Sequence, residues 1–356
     1  MEIRTRDSAD GPEAAPPSIA PSDILVVLPA LNEAAHIEEC IRSLMRPGKW
    51  MGQCRIVIAD GGSTDRTTNV VRSLATEFPN LHLIDNPGRF QSSGVNTAVR
   101  QMAEQRHRLL VRCDVHAIYP EGYVQALALE HARMRSASVV TAMDATGSPG
   151  FQQAAAWIVD TPLGSGGSAH RGGRKAQFVD HGHHAAFDLD WFRRIGGYDP
   201  TMSHNEDAEY DLRLRRCGGR IWLTDQTRVG YVMRPNLAAL CRQYWNYGRG
   251  RAHTLSKHKT RPRLRQIIPV INVVLLLASG LLSVLTPLGF LWPSLYLCIL
   301  FGASLTAAIR LNNLQGLWAG PALGAMHLSW GMGFLYFLLA PSRNGHVRIR
   351  NRAEQR

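Results

Sequence analysis

The sequence lacks the cysteine spacings that would build a disulfide framework or a zinc site. Its six cysteines are scattered over 356 residues, with no Cys-x-x-Cys pair and no histidines at a matching spacing. Disulfides staple small secreted domains, whereas cytosolic chains keep their thiols reduced. The pattern therefore argues against a disulfide-rich or zinc-binding protein and favours a reducing compartment.

Two further features are missing near the N terminus. Residues 1–22 have no apolar core, so they predict a flexible tail rather than a signal peptide. The domain that follows has no basic run interleaved with aromatic side chains, which argues against nucleic-acid binding. The formal net charge of +12 is instead explained largely by basic segments beside apolar stretches, where they face anionic lipid.

Charged side chains are also absent from residues 267–309 and again from 311–340. Two spans of about 20 residues fit the first stretch and a third fits the second, which predicts a membrane protein. Seven lysines and arginines lie between residues 249 and 265, and by the positive-inside rule they place the N-terminal domain in the cytoplasm. The basic tail prefers the same side, but three full spans would put it outside. The sequence thus predicts two to three transmembrane or re-entrant helices and leaves the side of the tail open.

Short apolar runs alternate with helical patterns in the N-terminal part. Continuous apolar runs of this length are typical of strands buried on both faces. Strands alternating with helices predict an α/β fold with a doubly wound, mostly parallel sheet. The predicted strands lie at residues 24–28, 56–59, 81–84 and 109–111, and the predicted helices at 37–44, 63–74 and 94–102.

Acidic side chains follow the predicted strands in a fixed order. Asp60 ends the second strand, Asp114 and His116 follow the fourth, and Glu206-Asp207 comes after a turn-like segment. Open α/β sheets bind ligands at the carboxyl ends of their strands. One carboxylate for a nucleotide, one for a metal and one for a base indicate a transferase that uses a phosphorylated donor. Each also has a structural alternative: Asp60 and Asp207 could cap helices, and Asp114 could pair with Arg112.

Seven motifs in order resemble the family 2 glycosyltransferases. Within that family the details look most like the bacterial exopolysaccharide glucosyltransferases of the succinoglycan ExoA type, which show Asp-x-His and a PLGxGG segment like residues 162–167 here. The resemblance covers roughly residues 23–255. The motifs are VVLPALNE (26–33), ADGGSTDRT (59–67), GVNTA (94–98), DVH (114–116), GGYD (196–199), NEDAE (205–209) and RQYWNYGR (242–249).

The resemblance implies a GT-A fold and a set of site residues. Asp207 would be the catalytic base, and Asp114 and His116 would hold a divalent cation, Mg²⁺ or Mn²⁺. Whether His116 touches the metal directly, through water or not at all stays open. Arg249 could clamp a diphosphate or face lipid, and the altered element around it favours addition of a single sugar. The implied substrate-binding residues are Pro29, Ala30, Asn32, Glu33, Asp60, Asp65, Arg89, Asn96, Asp114, His183, Glu206, Gln243 and Arg249.

The predicted protein is an inverting glycosyltransferase in the cytoplasmic (inner) membrane, multi-pass, with its catalytic domain on the cytoplasmic side. It would move a hexose, glucose from UDP-glucose by preference, to a lipid-linked glycan in exopolysaccharide biosynthesis, alone or in a polysaccharide-assembly complex. The alternatives are a polyprenyl-phosphate glycosyltransferase and a catalytically silent scaffold. The expected layout is a tail (1–22), a GT-A domain (23–255), a basic juxtamembrane segment (256–266), apolar helices (267–340) and a basic tail (341–356).

Overall fold

The computed structural model of the chain describes residues 18–46, 48–171, 173 and 175–340. The predicted basic tail (341–356) lies outside the described residues, as does the predicted N-terminal tail up to residue 17. The remainder of that N-terminal segment leads into a short 3-10 turn, Pro21–Asp23, just before the first strand.

The strands form one eight-stranded sheet in the order β3-β2-β1-β4-β7-β5-β8-β6. The first four pair in parallel, as the alternation of apolar runs and helices predicts. The strands are β1 (Ile24–Ala30), β2 (Arg55–Asp60), β3 (Leu81–Asp85), β4 (Leu109–Arg112), β5 (Ser138–Thr146), β6 (Gln177–Val179), β7 (His183–Asp188) and β8 (Ile221–Val232).

Helices cover both faces of the sheet and continue into a C-terminal helical layer. They are α1 (Ile37–Leu44), α2 (Gly48–Met51), α3 (Thr67–Glu77), α4 (Gln91–Met102), α5 (Tyr123–Met134), α6 (Phe151–Val159), α7 (Pro162–Ser165), α8 (Leu189–Arg194), α9 (Glu206–Arg216), α10 (Leu237–His258), α11 (Leu264–Leu282), α12 (Leu291–Arg310) and α13 (Ala319–Leu339).

The sheet is mixed in its second half. β7 is inserted between β4 and β5 and runs antiparallel to both, while β5 and β8 pair in parallel. The expected α/β fold is therefore confirmed, with a parallel half that carries the first motifs. The antiparallel strand β7 begins at His183, and it therefore brings His183 into the same sheet as the parallel strands.

Side-chain alternation along β1 divides the core into two layers. Ile24, Val26 and Leu28 pack with α1, α3 and α5 on one face, and Leu25 and Val27 pack with α4, α8 and α9 on the other. Successive strand residues point to opposite faces, so a wholly apolar strand requires helices on both. The parallel sheet is thereby fixed in the middle of the domain, with its carboxyl edge free for a ligand.

The C-terminal helices form a third apolar cluster with helices α6 and α10 of the sheet-bearing domain. Buried side chains from α6, α10, α12 and α13 pack together there. Three segments are long and apolar enough to cross a membrane by length and composition, Leu264–Leu282, Pro287–Arg310 and Leu314–Leu339. Their burial inside the protein differs, at 11%, 22% and 50% of the most apolar window.

Candidate active site

A cleft of about 620 Å³ opens at the carboxyl ends of β1 and β4. It is closed on the opposite side by the end of β8 and the first half of α10. Ten of the predicted site residues line it: Pro29, Ala30, Glu33, Arg89, Asp114, His116, His183, Glu206, Asp207 and Gln243. The structure thus brings together motifs that lie more than 200 residues apart in the sequence.

A buried arginine organises the acidic floor of this cleft. Arg112 at the end of β4 is only 4% exposed. Its guanidinium donates to Asp207 Oδ1 (2.5 Å) and Asp114 Oδ1 (2.9 Å), and lies 3.4 Å from Glu206 Oε1. A buried guanidinium needs this compensation, and its fork suits several carboxylates at once. The structural alternative for Asp114, pairing with Arg112, is therefore observed within the site itself.

Asp207 occupies the centre of the floor, in the first turn of α9. Besides Arg112, Tyr198 Oη donates to its Oδ1 at 2.7 Å and His183 Nδ1 donates to its Oδ2 at 2.9 Å. A carboxylate offers about four lone-pair sites, so three protein donors leave one for an incoming hydroxyl. The sequence-predicted base therefore has both a fixed orientation and a remaining acceptor position.

The two neighbouring carboxyls are held in different protonation states. Burial raises the pKa of Asp207, but the Arg112 charge and the His183 hydrogen bond outweigh it and hold that pKa well below its usual range. Burial and the Asp207 charge raise the pKa of Glu206 to about 7. Environments that drive the pKa values of two neighbouring carboxyls apart are typical of acid–base sites. Asp207 is thus ionised at neutral pH, whereas Glu206 is close to half-protonated.

Asp114 shares the floor with Asp207 through Arg112, and His116, two residues further on, contacts Glu33. His116 Nε2 is 3.0 Å from Glu33 Oε1, and this hydrogen bond raises the pKa of His116. No group of three or more metal-ligating side chains occurs among residues the structure describes. Mg²⁺ is usually held by one or two carboxylates plus substrate phosphates. The Asp114 carboxylate with Glu33 and His116 beside it fits such a cation, provided that a phosphorylated ligand supplies further oxygens.

Asp60, Asp65 and Asn32 lie outside the cleft lining and join two loops. Asp60 accepts hydrogen bonds from the Gly62 and Ser63 amides at 3.0 and 2.9 Å. The Asp60 contacts close a turn within the loop after β2 and do not form the helix cap named as its alternative, because α3 begins only at Thr67. Asp65 Oδ2 accepts from the Ala34 amide, and Asn32 Oδ1 accepts from the Thr64 amide. The loops after β1 and β2 are thereby fixed to each other beside the cleft.

Asn96 also lies outside the cleft lining and acts through a turn. Its side-chain amide donates to the Tyr198 carbonyl (2.7 Å) and accepts from the Tyr198 amide (2.9 Å). Tyr198 in turn donates its hydroxyl to Asp207. The position of Asn96 is consistent with holding the GGYD turn rather than touching a substrate.

Arg249 points away from the cleft. Its guanidinium lies 5.8 Å from the ring centroid of Tyr336 on α13. Gln243 instead lines the cleft and donates to the hydroxyls of Tyr231 (2.5 Å) and Tyr247 (3.0 Å). Of the two implied residues on this helix, only Gln243 lies at the site.

The sequence reasoning missed the cations that line the rim. Arg171 lies 4.5 Å above the Tyr231 ring, and its buried Nη1 has no hydrogen-bond partner among the described residues. Arg234 and Arg242 line the cleft as well. Arg171 comes from a loop and Arg234 from the β8–α10 connection, so no strand-end or motif pattern marks them. Arg242 is the first residue of the RQYWNYGR motif on α10, but it was not singled out there. A cationic rim above an acidic floor can bind an anionic diphosphate and still present a base.

Three histidines pack next to Asp207. The rings of His170, His181 and His183 lie 4.9 to 5.5 Å apart with edge-on geometry. His181 Nδ1 is 2.7 Å from Asp211 Oδ2. Burial lowers the pKa of each of the three histidines, so they are neutral at pH 7. In this state His183 can donate only through the nitrogen that faces Asp207.

Comparison with known proteins gives a consistent result. The family model described as glycosyl transferase family 2 matches residues 25–196. The chain is 41% identical over 315 residues to the succinoglycan biosynthesis protein ExoA of Rhizobium meliloti, covering 88% of this chain and 94% of that protein.

Two more distant relatives agree in fold or family. A Methanococcus voltae enzyme named dolichyl N-acetyl-alpha-D-glucosaminyl phosphate 3-beta-D-2,3-diacetamido-2,3-dideoxy-beta-D-glucuronosyltransferase is 21% identical over 66% of this chain and 74% of its own length. The mannosyltransferase PcManGT from Pyrobaculum calidifontis, solved with GDP-Man and Mn²⁺, superposes with a TM-score of 0.58 at 17% identity, covering 89% and 87% of the two chains. The structural similarity supports the GT-A fold.

Proposed function

The chain belongs to glycosyl transferase family 2, and from this premise we propose that it is a membrane-attached, inverting enzyme of exopolysaccharide biosynthesis. It transfers a hexose from a nucleotide sugar to a lipid-linked glycan. The observation that carries the proposal is the Asp207 carboxylate, ionised and fixed by three donors, at the floor of a cleft with a cationic rim.

In the proposed reaction Asp207 accepts the proton of an acceptor hydroxyl. The acceptor oxygen bonds to the anomeric carbon from the face opposite the nucleotide, and the bond to the diphosphate oxygen breaks. The nucleoside diphosphate leaves with the electron pair, and the configuration inverts, so an α-linked donor gives a β-linkage. Arg112 and His183 keep the carboxylate ionised and aimed until the proton arrives.

A divalent cation beside Asp114, Mg²⁺ or Mn²⁺, would neutralise the charge that develops on the leaving diphosphate. The Mn²⁺ in the PcManGT structure supports this assignment. His116 is a cation ligand in the proposal, with Glu33 as its hydrogen-bond partner. Arg89, Arg171 and Arg234 reinforce the binding of the diphosphate from the rim.

The nucleotide is placed by the loops after β1 and β2. The backbone of Pro29 and Ala30 contributes to the cleft wall, and Asp60, Asp65 and Asn32 fix the loops next to it. Arg249 and Asn96 are assigned supporting roles away from the substrate. We assign UDP-glucose as the donor, on the strength of the similarity to a protein named for succinoglycan biosynthesis.

The acceptor is proposed to be a lipid-linked oligosaccharide. The three apolar helices and the basic segment 256–266 would hold the cleft at the cytoplasmic face of the inner membrane. A relative named for action on a dolichyl-linked sugar phosphate supports an acceptor of this class. The catalytic domain is proposed to extend over residues 23–255, and a polysaccharide-assembly complex is the proposed setting.

The test is transfer by membranes that contain the protein. Labelled UDP-, GDP- and dTDP-sugars are supplied with Mg²⁺ or Mn²⁺ and a lipid extract of the producing cells. We expect label to enter the lipid fraction from UDP-glucose, and to require the cation. Label in a simple polyprenyl phosphate product would instead favour the polyprenyl-phosphate alternative. Absence of both donor binding and transfer would leave the scaffold as the better account.

A further inference from the structure

The packing of α13 bears on how the chain meets the bilayer. By composition α13 is one of three candidate spans, and the sequence predicts several crossings. Half of its most apolar window is nevertheless buried inside the protein, against 11% for α11. A helix that crosses lipid alone buries little of its surface in protein. The residues that α13 contacts therefore show whether it is such a helix.

The N-terminal half of α13 rests on the catalytic domain. Trp318, which directly precedes the helix, packs its ring 5.9 Å from the ring of Phe151 at the start of α6. His327 Nε2 lies 3.0 Å from the carbonyl oxygen of Leu163 in α7. Both α6 and α7 follow strand β5 and belong to the domain that carries the cleft.

The C-terminal half of α13 rests on α10, another part of the same domain. The ring of Trp245 lies 5.4 Å from that of Tyr336, and the ring of His253 lies 5.3 Å from that of Phe337. A Cβ at Gly333 would overlap the carbonyl oxygen of Trp245. The two helices therefore touch backbone to backbone.

These contacts limit how far α13 can enter a bilayer, because they attach both of its ends to the catalytic domain. From Trp318 to Phe337 the helix rises about 28 Å, close to the thickness of the hydrocarbon core of about 30 Å. If α13 crossed, one of its ends would carry catalytic-domain residues to the far side. α10 lies beside it and bears Arg242, Arg249 and Lys257, whose charges are costly inside lipid. Since α10 also lines the cleft, it must remain at the aqueous face.

We propose that α13 is a surface helix docked on the catalytic domain, and that the chain enters the bilayer only through the hairpin of α11 and α12. This inference rests on the proposed membrane attachment. The hairpin has the surface for lipid: Leu277 and Leu281 of α11 are 65% and 77% exposed, and Phe301 of α12 is 67% exposed. α12 then returns to the domain, where its Ala303 and Ala307 pack in one apolar cluster with side chains of α6.

The arrangement also accounts for the charge pattern. Five arginines follow α13 in the sequence, at positions 343, 348, 350, 352 and 356. With α13 on the catalytic side, an even number of crossings leaves this segment in the cytoplasm. The positive-inside rule is then obeyed at both ends of the helical layer. Three crossings would break it.

The first test locates the C terminus of the full-length chain. Green fluorescent protein, which fluoresces when folded in the cytoplasm, and alkaline phosphatase, which needs periplasmic disulfides, are each fused after residue 356. We expect fluorescence and no phosphatase activity, in the membrane fraction. Phosphatase activity would overturn the inference, while retained transfer activity in those membranes would leave the enzyme assignment intact. Protein in the soluble fraction would overturn the membrane attachment itself.

The second test uses a matched pair of glycines in the helical layer. Gly333→Ala places a methyl group against Trp245, whereas Gly302→Ala on α12 places one in open space. We expect at least a tenfold loss of transfer per folded molecule for the first variant, because α10 lines the cleft, and a change within twofold for the second. Equal activity of the two variants, with equal fluorescence of the fusions, would show that α13 is not docked on α10.

Discussion

At the scale of single residues, the site depends on one cation shared by three carboxylates. Arg112 holds Asp114, Glu206 and Asp207 at 2.5 to 3.4 Å. Without it the carboxylates of Asp114 and Asp207 would repel each other with no cation between them. The ion pair with Arg112 also lowers the pKa of Asp207 and so makes it a weaker base. The hydrogen bond from His183 lowers that pKa further. His183 is the contact that mutation can adjust.

Replacing His183 tests its role as a positioning residue. His183→Ala removes the hydrogen bond to Asp207 Oδ2, which is one cause of the depressed pKa of Asp207. That pKa rises, and Asp207 is protonated and inactive below it, so the acid limb of the pH–rate profile should move to higher pH. A hydrogen bond to a charged group is worth about 1.5–3 kcal/mol, which corresponds to about one to two pH units.

The conservative variant separates this role from sugar contact. His183→Asn keeps a donor near the position of Nδ1 and should restore most of the wild-type profile. The measurement is the initial rate of transfer at saturating and at low donor, over a pH range that extends below the usual pKa of an aspartate. A raised KM with an unchanged acid limb would favour sugar contact, the role that the sequence resemblance implied, over positioning of the base.

At the scale of elements, α4 and α9 are coupled through the turn at residues 196–199. Asn96 of α4 fixes both backbone groups of Tyr198, and the Tyr198 hydroxyl reaches Asp207 at the start of α9. Gly197 lies in this turn with a φ of +68°, a backbone conformation that favours glycine. A Cβ at this position would also overlap the Asn96 side chain. Asn96 of the motif GVNTA therefore holds the turn at residues 196–199, which lies more than 90 residues further along the chain.

Removing the Asn96 amide should lower kcat more than it changes KM for the donor. Asn96→Ala leaves two backbone groups of Tyr198 without partners, at a cost in the free energy of unfolding of about 1–3 kcal/mol. The freed turn misplaces the Tyr198 hydroxyl, and we expect kcat to fall roughly tenfold. Denaturant unfolding in detergent and steady-state kinetics measure the two effects. Asn69→Ala, on the exposed face of α3, is the control.

The Asn96 prediction has a clear contrary result. A donor KM raised tenfold at constant kcat would mean that Asn96 contacts the nucleotide sugar, as the sequence resemblance implied. Equal stability of Asn96→Ala and Asn69→Ala would mean that the turn does not depend on the amide.

At the scale of the whole molecule, the sequence predicted what local patterns encode. The four parallel strands follow from apolar runs, and the strand-end acid Asp114 follows from the rule for α/β sheets. Asp207 lies in the first turn of α9 and follows no strand, so only the family resemblance singled it out. The antiparallel β7 could not be foreseen, since it depends on pairing with distant β4 and β5. Arg171 has no motif, because a loop delivers it. Nor does apolar composition tell a helix that faces lipid from one that faces protein: α13 has the composition of a span, although half of its most apolar window is buried inside the protein.

The most direct measurement of the central claim compares Asp207→Asn with Asp211→Asn, one turn further along α9. Burial and the Asp207 charge raise the pKa of Asp211 well above its usual range, and Asp211 does not line the cleft, so Asp211→Asn is the matched control. Donor binding and transfer are measured on the same membranes. We predict that Asp207→Asn binds UDP-glucose within threefold of wild type but loses transfer by about 10²- to 10⁴-fold, while Asp211→Asn retains transfer. Transfer by Asp207→Asn near the wild-type rate would contradict the assignment of Asp207 as the base.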